Sequence, residues 1–479
     1  MTEAVQTPGT LPNESRLANQ DPRAISVGLD IGTTKVVAIV GRKNQFGKVE
    51  VLGYGKAESY GVKTGEVINL QKTEQAIREA VRKAELNSRV KIERVTVGIA
   101  GQHIRSIQTR ESMTRDNPES IITQEDIDKL TNQVKKIQVE NGESIIHALP
   151  QEFKVDRIDD IQDVPIGMAG TRLEANFHVV VGKVAAIQNL IRCVKMAGLE
   201  VENITLEPLA SSRAVLLDDE KEGGIALIDM GGGTTDLAIF KNQIIRHTAI
   251  IPAGGNIITQ DLSTGIRVLK RDAELIKVKF GSAYPGENSD TEIVSIQGLP
   301  GHEPTEVSLK MISRIIKARV EEIIHYAGLE IKKYTDANEK NMLFGGIVLT
   351  GGGANMKHLT QLVKLLTGMH TRVGFPNQHL AGDSDEELKS PIFATAIGLL
   401  MEGLENKVNY EELEYEELEQ PKNIQQEKPI AKQEETNNEI VDEEDRQEDE
   451  ELEKLKKLNK KRKSNSWTDA IMKFLGKFE

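Results

Sequence analysis

Two stretches of the chain share one order of residues. Asp30-Ile31-Gly32-Thr33-Thr34-Lys35 and Asp229-Met230-Gly231-Gly232-Gly233-Thr234-Thr235-Asp236 each follow an apolar run, pass through an aspartate, a glycine turn and hydroxyls, and lead into a second apolar run. That order suits an anion. Backbone N–H groups in such a turn converge on a concave site, the threonines add hydroxyls, and Lys35 adds a charge. Three consecutive glycines cost conformational entropy, a cost explained when a ligand must approach the backbone closely. A third turn, Leu349-Thr350-Gly351-Gly352-Gly353-Ala354-Asn355-Met356, follows another apolar run. None of the three is a dinucleotide-binding G-x-G-x-x-G, and the chain has no P-loop motif. A lone D-x-G hairpin is often only a turn, so the weight lies in finding three such turns together.

Strands must carry these turns. Residues 24–40 read as a β-hairpin about the first, and residues 224–240 repeat the pattern, which indicates an internal duplication. Residues 345–350 read as a strand stopped by glycines. Residues 73–86 have helical spacing in Ala76, Ile77, Ala80, Val81 and Ala84. Helices are also expected at 124–139, 185–197 (with Gly198 as C-cap), 309–332 and 392–404. Between the first helix and the one at 185, residues 91–183 hold strand-like segments at 92–101, 145–155 and 173–181 beside the helix at 124–139, enough for a small inserted domain. Its His147 has no cysteine, histidine or carboxylate cluster around it and reads as structural.

The chain has 479 residues, too many for one compact core. Its net charge of −13 is unevenly placed: residues 404–453 carry −15, residues 454–479 carry +7, and the remainder is only mildly acidic. A nucleic-acid binder, with a basic folded surface, is therefore not expected. Cys193 is the single cysteine, which rules out an internal disulfide and fits a reducing compartment. Residues 1–23 are polar, read as a disordered leader and lack the apolar centre of a signal peptide. Residues 404–463 read as a charged, disordered linker.

The last segment, 464–479, reads as an amphipathic helix. Trp467, Ala470, Ile471, Phe474, Leu475 and Phe478 fall on one helical face. From Ser466 onward the helix spans roughly 21 Å, short of the ~30 Å hydrocarbon core, so it lies in a membrane interface rather than crossing it. Seven basic residues at 454–463 favour an anionic surface by about 1 kcal/mol each. Docking on the protein's own body is the competing reading, and the long acidic tether argues against it.

The order D-I-G-T-T-K, L-E-P-L-A-S, D-M-G-G-G-T-T-D, T-G-G-G-A and S-P-I-F-A-T-A-I-G resembles the five nucleotide-site motifs of the actin/Hsp70/sugar-kinase superfamily. Within it, these motifs and His147-Ala148-Leu149-Pro150-Gln151-Glu152 resemble the FtsA family of bacterial cell-division proteins, over about residues 24–403 and the extreme C-terminus. The resemblance implies an α/β, actin-like two-lobed fold of duplicated ribonuclease-H-like cores with an inserted SHS2-like subdomain, 1C. Subdomain 1A would comprise 24–90, 184–210 and a closing helix at 390–403, with 1C at 91–183. Subdomain 2A would comprise 211–258 and 335–389, and 2B would be 259–334.

It further implies ATP and Mg²⁺ in the cleft. Gly32, Thr33, Thr34 and Lys35 would hold phosphates from one lobe, and Gly231, Gly232, Gly233 and Thr234 from the other. Asp30 and Asp229 would order the waters of the metal. Gly351, Gly352 and Gly353 would border the adenosine, with Glu274 and Lys277 at the ribose and base. Glu207 lies where actin-like ATPases place the residue that orients the attacking water; a solvent-facing helix-start glutamate is the alternative, and the implied activity is at most slow hydrolysis. Lys317 and Arg319 match a helix that receives the C-terminal tail of the tubulin-like scaffold FtsZ, a solvated basic face being the alternative. Implied partners are FtsZ, further copies of the chain, later division proteins through 1C, and an anionic membrane contacted by Trp467, Ile471, Phe474, Leu475 and Phe478. The implied location is the cytoplasmic face of the membrane at the septum. A sugar-kinase-type enzyme, an Hsp70-like chaperone and another actin-like machine are the competing classes. The first lacks an evident base and sugar pocket, the second a C-terminal β-rich domain, and the third this placement of insert and terminal helix.

Overall fold

A computed structural model describes residues 25–115, 120–289, 291–296, 303–337, 342–382 and 384–405, all within one compact unit. The leader, most of the linker and the terminal amphipathic helix lie outside the described residues.

The first apolar run forms β1 (Ile25–Ile31), which pairs antiparallel with β2 (Lys35–Lys43), and β2 pairs antiparallel with β3 (Val49–Glu58). A short hairpin of β4 (Val62–Lys63) and β5 (Glu66–Val67) leads to α1 (Leu70–Ser88). The Asn69 side chain caps α1 by accepting from the Lys72 N–H, so the helix starts before the periodic stretch seen in the sequence. Next, β6 (Arg94–Ile99) returns parallel beside β1.

The insert then begins with β7 (Ile104–Thr114), α2 (Gln124–Val134), β8 (Glu143–Val155), β9 (Ile158–Ile161) and β10 (Arg172–Lys183). Its sheet order is β7-β10-β8-β9. Phe153, Leu173 and Phe177 from this sheet bury Ile127, Leu130 and Val134 of α2 in a core of their own. The strand at 94–99, placed in the insert by the sequence, belongs instead to the first lobe's sheet, where it pairs with β1. The expected helix at 124–139 also stops early. Ile137 and Val139 pack on the insert core, and two residues so spaced share a side in extended rather than helical chain.

The chain returns to the first lobe through α3 (Val184–Met196) and β11 (Glu200–Leu206), which completes a sheet of order β11-β6-β1-β2-β3. Helices α4 (Glu207–Val215) and α5 (Asp218–Gly223) lead to the second lobe. There β12 (Ile225–Met230), β13 (Thr235–Lys241) and β14 (Ile244–Ile251) form another antiparallel meander. After α6 (Gly255–Gly265), α7 (Lys270–Phe280), the hairpin β15 (Ile293–Ile296) and β16 (Thr305–Ser308), and α8 (Leu309–Asp336), the chain adds β17 (Gly346–Thr350) parallel to β12. Helix α9 (Leu359–Thr367) and β18 (Thr371–Val373) follow, giving the order β14-β13-β12-β17-β18. The two sheets therefore have one topology, which is the duplication the paired turns indicated.

Helix α10 (Ala394–Glu405) closes the body against β1 and α4. Its Ile397 and Leu400 share a core with Val37 and Ile39 of the first lobe and Leu227 of the second. A Cβ on Gly398 would overlap the Ala210 backbone, so glycine permits the contact of α10 with α4.

The insert, although it grows from the first lobe, rests on β14 of the second. Gln151 Nε2 donates to the Ile245 carbonyl at 2.6 Å, Gln108 Nε2 to that of Arg246 at 3.2 Å, and Ser106 Oγ to that of Thr248 at 3.1 Å. His178 Nε2 meets Thr248 Oγ1 at 2.9 Å, and the Arg246 guanidinium pairs with Glu152. Among the described residues no helix is long and apolar enough to cross a membrane.

Candidate functional site

Both aspartate–glycine turns are closed by the same bond: Gly32 N–H donates to the Lys35 carbonyl at 3.0 Å, and Gly231 N–H to that of Thr234 at 2.9 Å. They face each other across the cleft, where a Cβ on Gly232 or Gly233 would overlap Thr34 or Thr33. The first amides of α6 dock on the second turn, Gly255 N–H to the Gly231 carbonyl at 2.9 Å and Asn256 N–H to that of Gly232 at 2.8 Å.

These turns line a cavity of about 1190 Å³, above the few hundred to about 1,000 Å³ common for small-molecule sites. It gathers Asp30, Thr33, Thr34 and Lys35 from the first lobe with Gly231, Gly232, Gly233 and Thr234 from the second. Glu207, Asp229, Glu274, Lys277 and the glycines 351–353 line it too. Gly351 has φ +79°, and a Cβ there would overlap Asp229 Oδ1. Gly352 differs: a Cβ would meet only Ile392, at 3.9 Å, so a larger side chain there would grow into the cavity.

The acidic groups are held unequally. Asp30 Oδ2 pairs with Lys35 Nζ at 3.1 Å. Asp229 Oδ2 accepts from Ser211 Oγ at 2.5 Å and Thr395 Oγ1 at 3.2 Å. Burial raises the Asp229 pKa, against those hydroxyl bonds. Asp236 Oδ2 accepts from Thr234 Oγ1 at 3.1 Å, while its buried Oδ1 has no partner among the described residues. Burial, reinforced by Asp229, pushes Asp236 well above the usual carboxylate range. Glu207, first residue of α4, is pushed well above it by burial and then by Asp30, Asp236 and Asp229, with Lys35 opposing.

This set fits a divalent cation held through water. The acids repel one another and one buried oxygen is unmatched, yet among the described residues no three His, Cys, Asp or Glu side chains could hold an ion directly. A hydrated Mg²⁺ needs no more than one or two carboxylates. On the far wall Lys277 Nζ meets Glu274 Oε2 at 2.7 Å, Thr259 Oγ1 at 2.8 Å and the Gly255 carbonyl at 3.0 Å, so this pair is pre-set.

The structure brings together every cleft residue named from the sequence, and adds Asp236, Asn256 and Thr395 to the lining and Ser211 beside Asp229. Asp236 was legible as the end of its motif, two residues after Thr234. Ser211 and Thr395 lie within quoted motifs, but their partner is distant in sequence. Lys317 and Arg319 do not line the cavity. They are two apart on α8 and so point to different faces: Lys317 pairs with Glu321, whereas the Arg319 fork grips Asp261 at 2.6 and 3.1 Å and also reaches Glu322. His147 is structural: its Nε2 accepts from the Leu206 N–H at 3.0 Å, and burial holds its pKa down to about 4.

Two cores of one topology, a cleft between paired aspartate–glycine turns and a closing helix define an actin-like protein. A solved chain described as the PilM-PilN type IV pilus biogenesis complex shares this fold, with a TM-score of 0.58 at 15% identity, over 80% of this chain and 99% of that one. Residues 226–398 match the model of cell division protein FtsA, and residues 101–181 that of the SHS2 domain inserted in FtsA. Cell division protein FtsA of Neisseria meningitidis serogroup B is 41% identical, over 80% of this chain and 90% of its own length. That of Escherichia coli strain K12 is 32% identical, over 81% and 92%. The chain belongs to the FtsA family of cell-division proteins.

Proposed function

We propose that the chain binds ATP in the cleft, polymerises through actin-like contacts, and holds FtsZ filaments to the cytoplasmic face of the membrane at the division site. The facing turns carry this reading, because each offers backbone donors and hydroxyls to one anionic chain from opposite lobes. Gly32 to Lys35 would hold phosphates from one side and Gly231 to Thr234 from the other, with Glu274 and Lys277 at the ribose and base. Mg²⁺, held through water by Asp30, Asp229 and Asp236, would neutralise phosphate charge. Because both lobes grip one ligand, binding fixes their relative angle, and the fixed angle favours assembly. Glu207 would orient an attacking water, in a site built more for binding than for fast turnover.

Attachment rests on the sequence of residues 466–479, which supplies an apolar helical face behind a basic run. FtsZ recognition would fall to the face of α8 bearing Arg319, whose guanidinium would have to exchange its pairing with Asp261 for the incoming tail.

Liposome co-sedimentation tests the whole reading. Full-length protein should sediment with anionic vesicles in the presence of ATP, and a chain ending at Glu453 should not. Equal sedimentation of both moves the membrane contact elsewhere; no sedimentation of either removes the adaptor role.

A further inference from the structure

Glu207 lines a second, far smaller space as well as the cleft. That space measures about 10 Å³, room for about one water molecule. Its polar lining comes from Glu66, His103 and Glu207; Ile31, Val62 and Leu190 are among its apolar walls. His103 is only 6% exposed, and neither of its ring nitrogens has a hydrogen-bond partner among the described residues. An unsatisfied buried polar group costs about 1–3 kcal/mol, so a nitrogen beside a water-sized space has a direct remedy there. Gly98 of β6 makes room for the acid: a Cβ at that position would stand 3.0 Å from Glu207 Cγ and 3.4 Å from Oε1.

We propose that a water molecule buried in this space bridges Glu207 and His103, and that His103 is a positioning and proton-relay residue acting through Glu207. The proposal rests on the reading that Glu207 orients the attacking water in the cleft. During hydrolysis Glu207 takes one proton from that water as its oxygen bonds to the γ-phosphorus. The bond from phosphorus to the bridging oxygen breaks, and its electron pair stays on ADP. Glu207 then passes the proton through the buried water to a neutral nitrogen of His103. The imidazolium releases it past half-buried Glu66 to solvent, which restores both residues.

Two charged groups act on the imidazole, Glu66 of β5 and Lys183 at the end of β10, while Glu207 lines the same small space. Burial lowers the His103 pKa below the ordinary histidine value, with Lys183 acting in the same direction and Glu66 against it. The ring is therefore neutral at pH 7 and able to accept. His103 also stands where β6 hands over to β7, at the root of the insert.

The test uses full-length protein, His103→Gln, which keeps hydrogen bonding but cannot carry a proton, and Glu207→Gln. Phosphate release from MgATP is followed from about pH 5.5 to 8, with affinity for a fluorescent ATP analogue measured alongside. His103→Gln should bind the analogue like the parent, release phosphate about a hundredfold more slowly, and change the shape of the acid-side decline, keeping only the part that comes from Glu207. The parent's rate and pH profile in His103→Gln overturn the relay. The parent's rate in Glu207→Gln overturns instead the role given to Glu207, so the two failures are distinguishable. A second arm needs neither turnover nor a folded His103 variant: ¹⁵N shifts of the His103 ring in nucleotide-free protein. They should move in Glu207→Gln, and unchanged shifts overturn the bridge.

Discussion

Neighbouring glycines in the third turn meet opposite constraints. Gly351→Ala places a Cβ against Asp229 at φ +79°, and such backbone costs on the order of 1–3 kcal/mol. Urea unfolding should show a loss of that size. Gly352→Val meets almost nothing, so its unfolding midpoint should match the parent while affinity for an ATP analogue falls at least about tenfold, the loss of one good contact. Asp236 makes the complementary case. Its raised pKa means that the folded chain keeps a proton the unfolded chain releases, so its contribution to stability is present below about pH 4 and is lost as pH rises towards the folded value. Asp236→Asn should therefore be more stable than the parent at pH 7 without nucleotide, yet bind Mg²⁺-nucleotide more weakly. Thermal unfolding and titration of the analogue check both halves. Stability given up for an acid facing the cleft is the usual signature of a working site.

At the scale of elements, the insert is fastened by two neutral histidines. Burial holds His147 and His178 down to about 4. The unfolded chain takes up protons from about pH 6.5 downwards that these rings refuse, so stability falls as pH drops through that window, on the order of 2 kcal/mol per ring by about pH 5. His178→Gln, which retains hydrogen-bonding groups, should flatten that fall when denaturant unfolding is compared at pH 7 and pH 5; an unchanged slope removes His178 as its source. The sequence made the local units legible, because hairpins, glycine turns and helical stripes are written within twenty residues of chain. Both hairpins about the first two glycine turns and helix α8 were readable in this way, whereas the third strands β3 and β14 were not. Strand 94–99 was readable as a strand but not as a neighbour of β1, since its pairing is decided by the sheet and not by its own residues. The same holds in the site. Asp30 and Asp229 announce themselves beside glycines, whereas Ser211 and Thr395 serve Asp229 across 18 and 166 residues of chain. Helix-face geometry was available from the start for Lys317 and Arg319, which two-residue spacing separates.

Over the whole molecule, the insert belongs to one lobe by chain yet also hydrogen-bonds to the other. Gln108→Ala with Gln151→Ala removes two of its donors to β14. Amide exchange should then quicken along β14 and β8 while β1 and β6 keep the parent's protection; quickening everywhere would mean general loss of stability rather than a loosened seam. Most of these donors address main-chain carbonyls, of Ile245, Arg246 and Thr248, which every residue type possesses. Selection at this seam is therefore lopsided. The insert must conserve its amides and hydroxyl, while several side chains of β14 are free to drift, so insert and host lobe can diverge at different rates across species without parting.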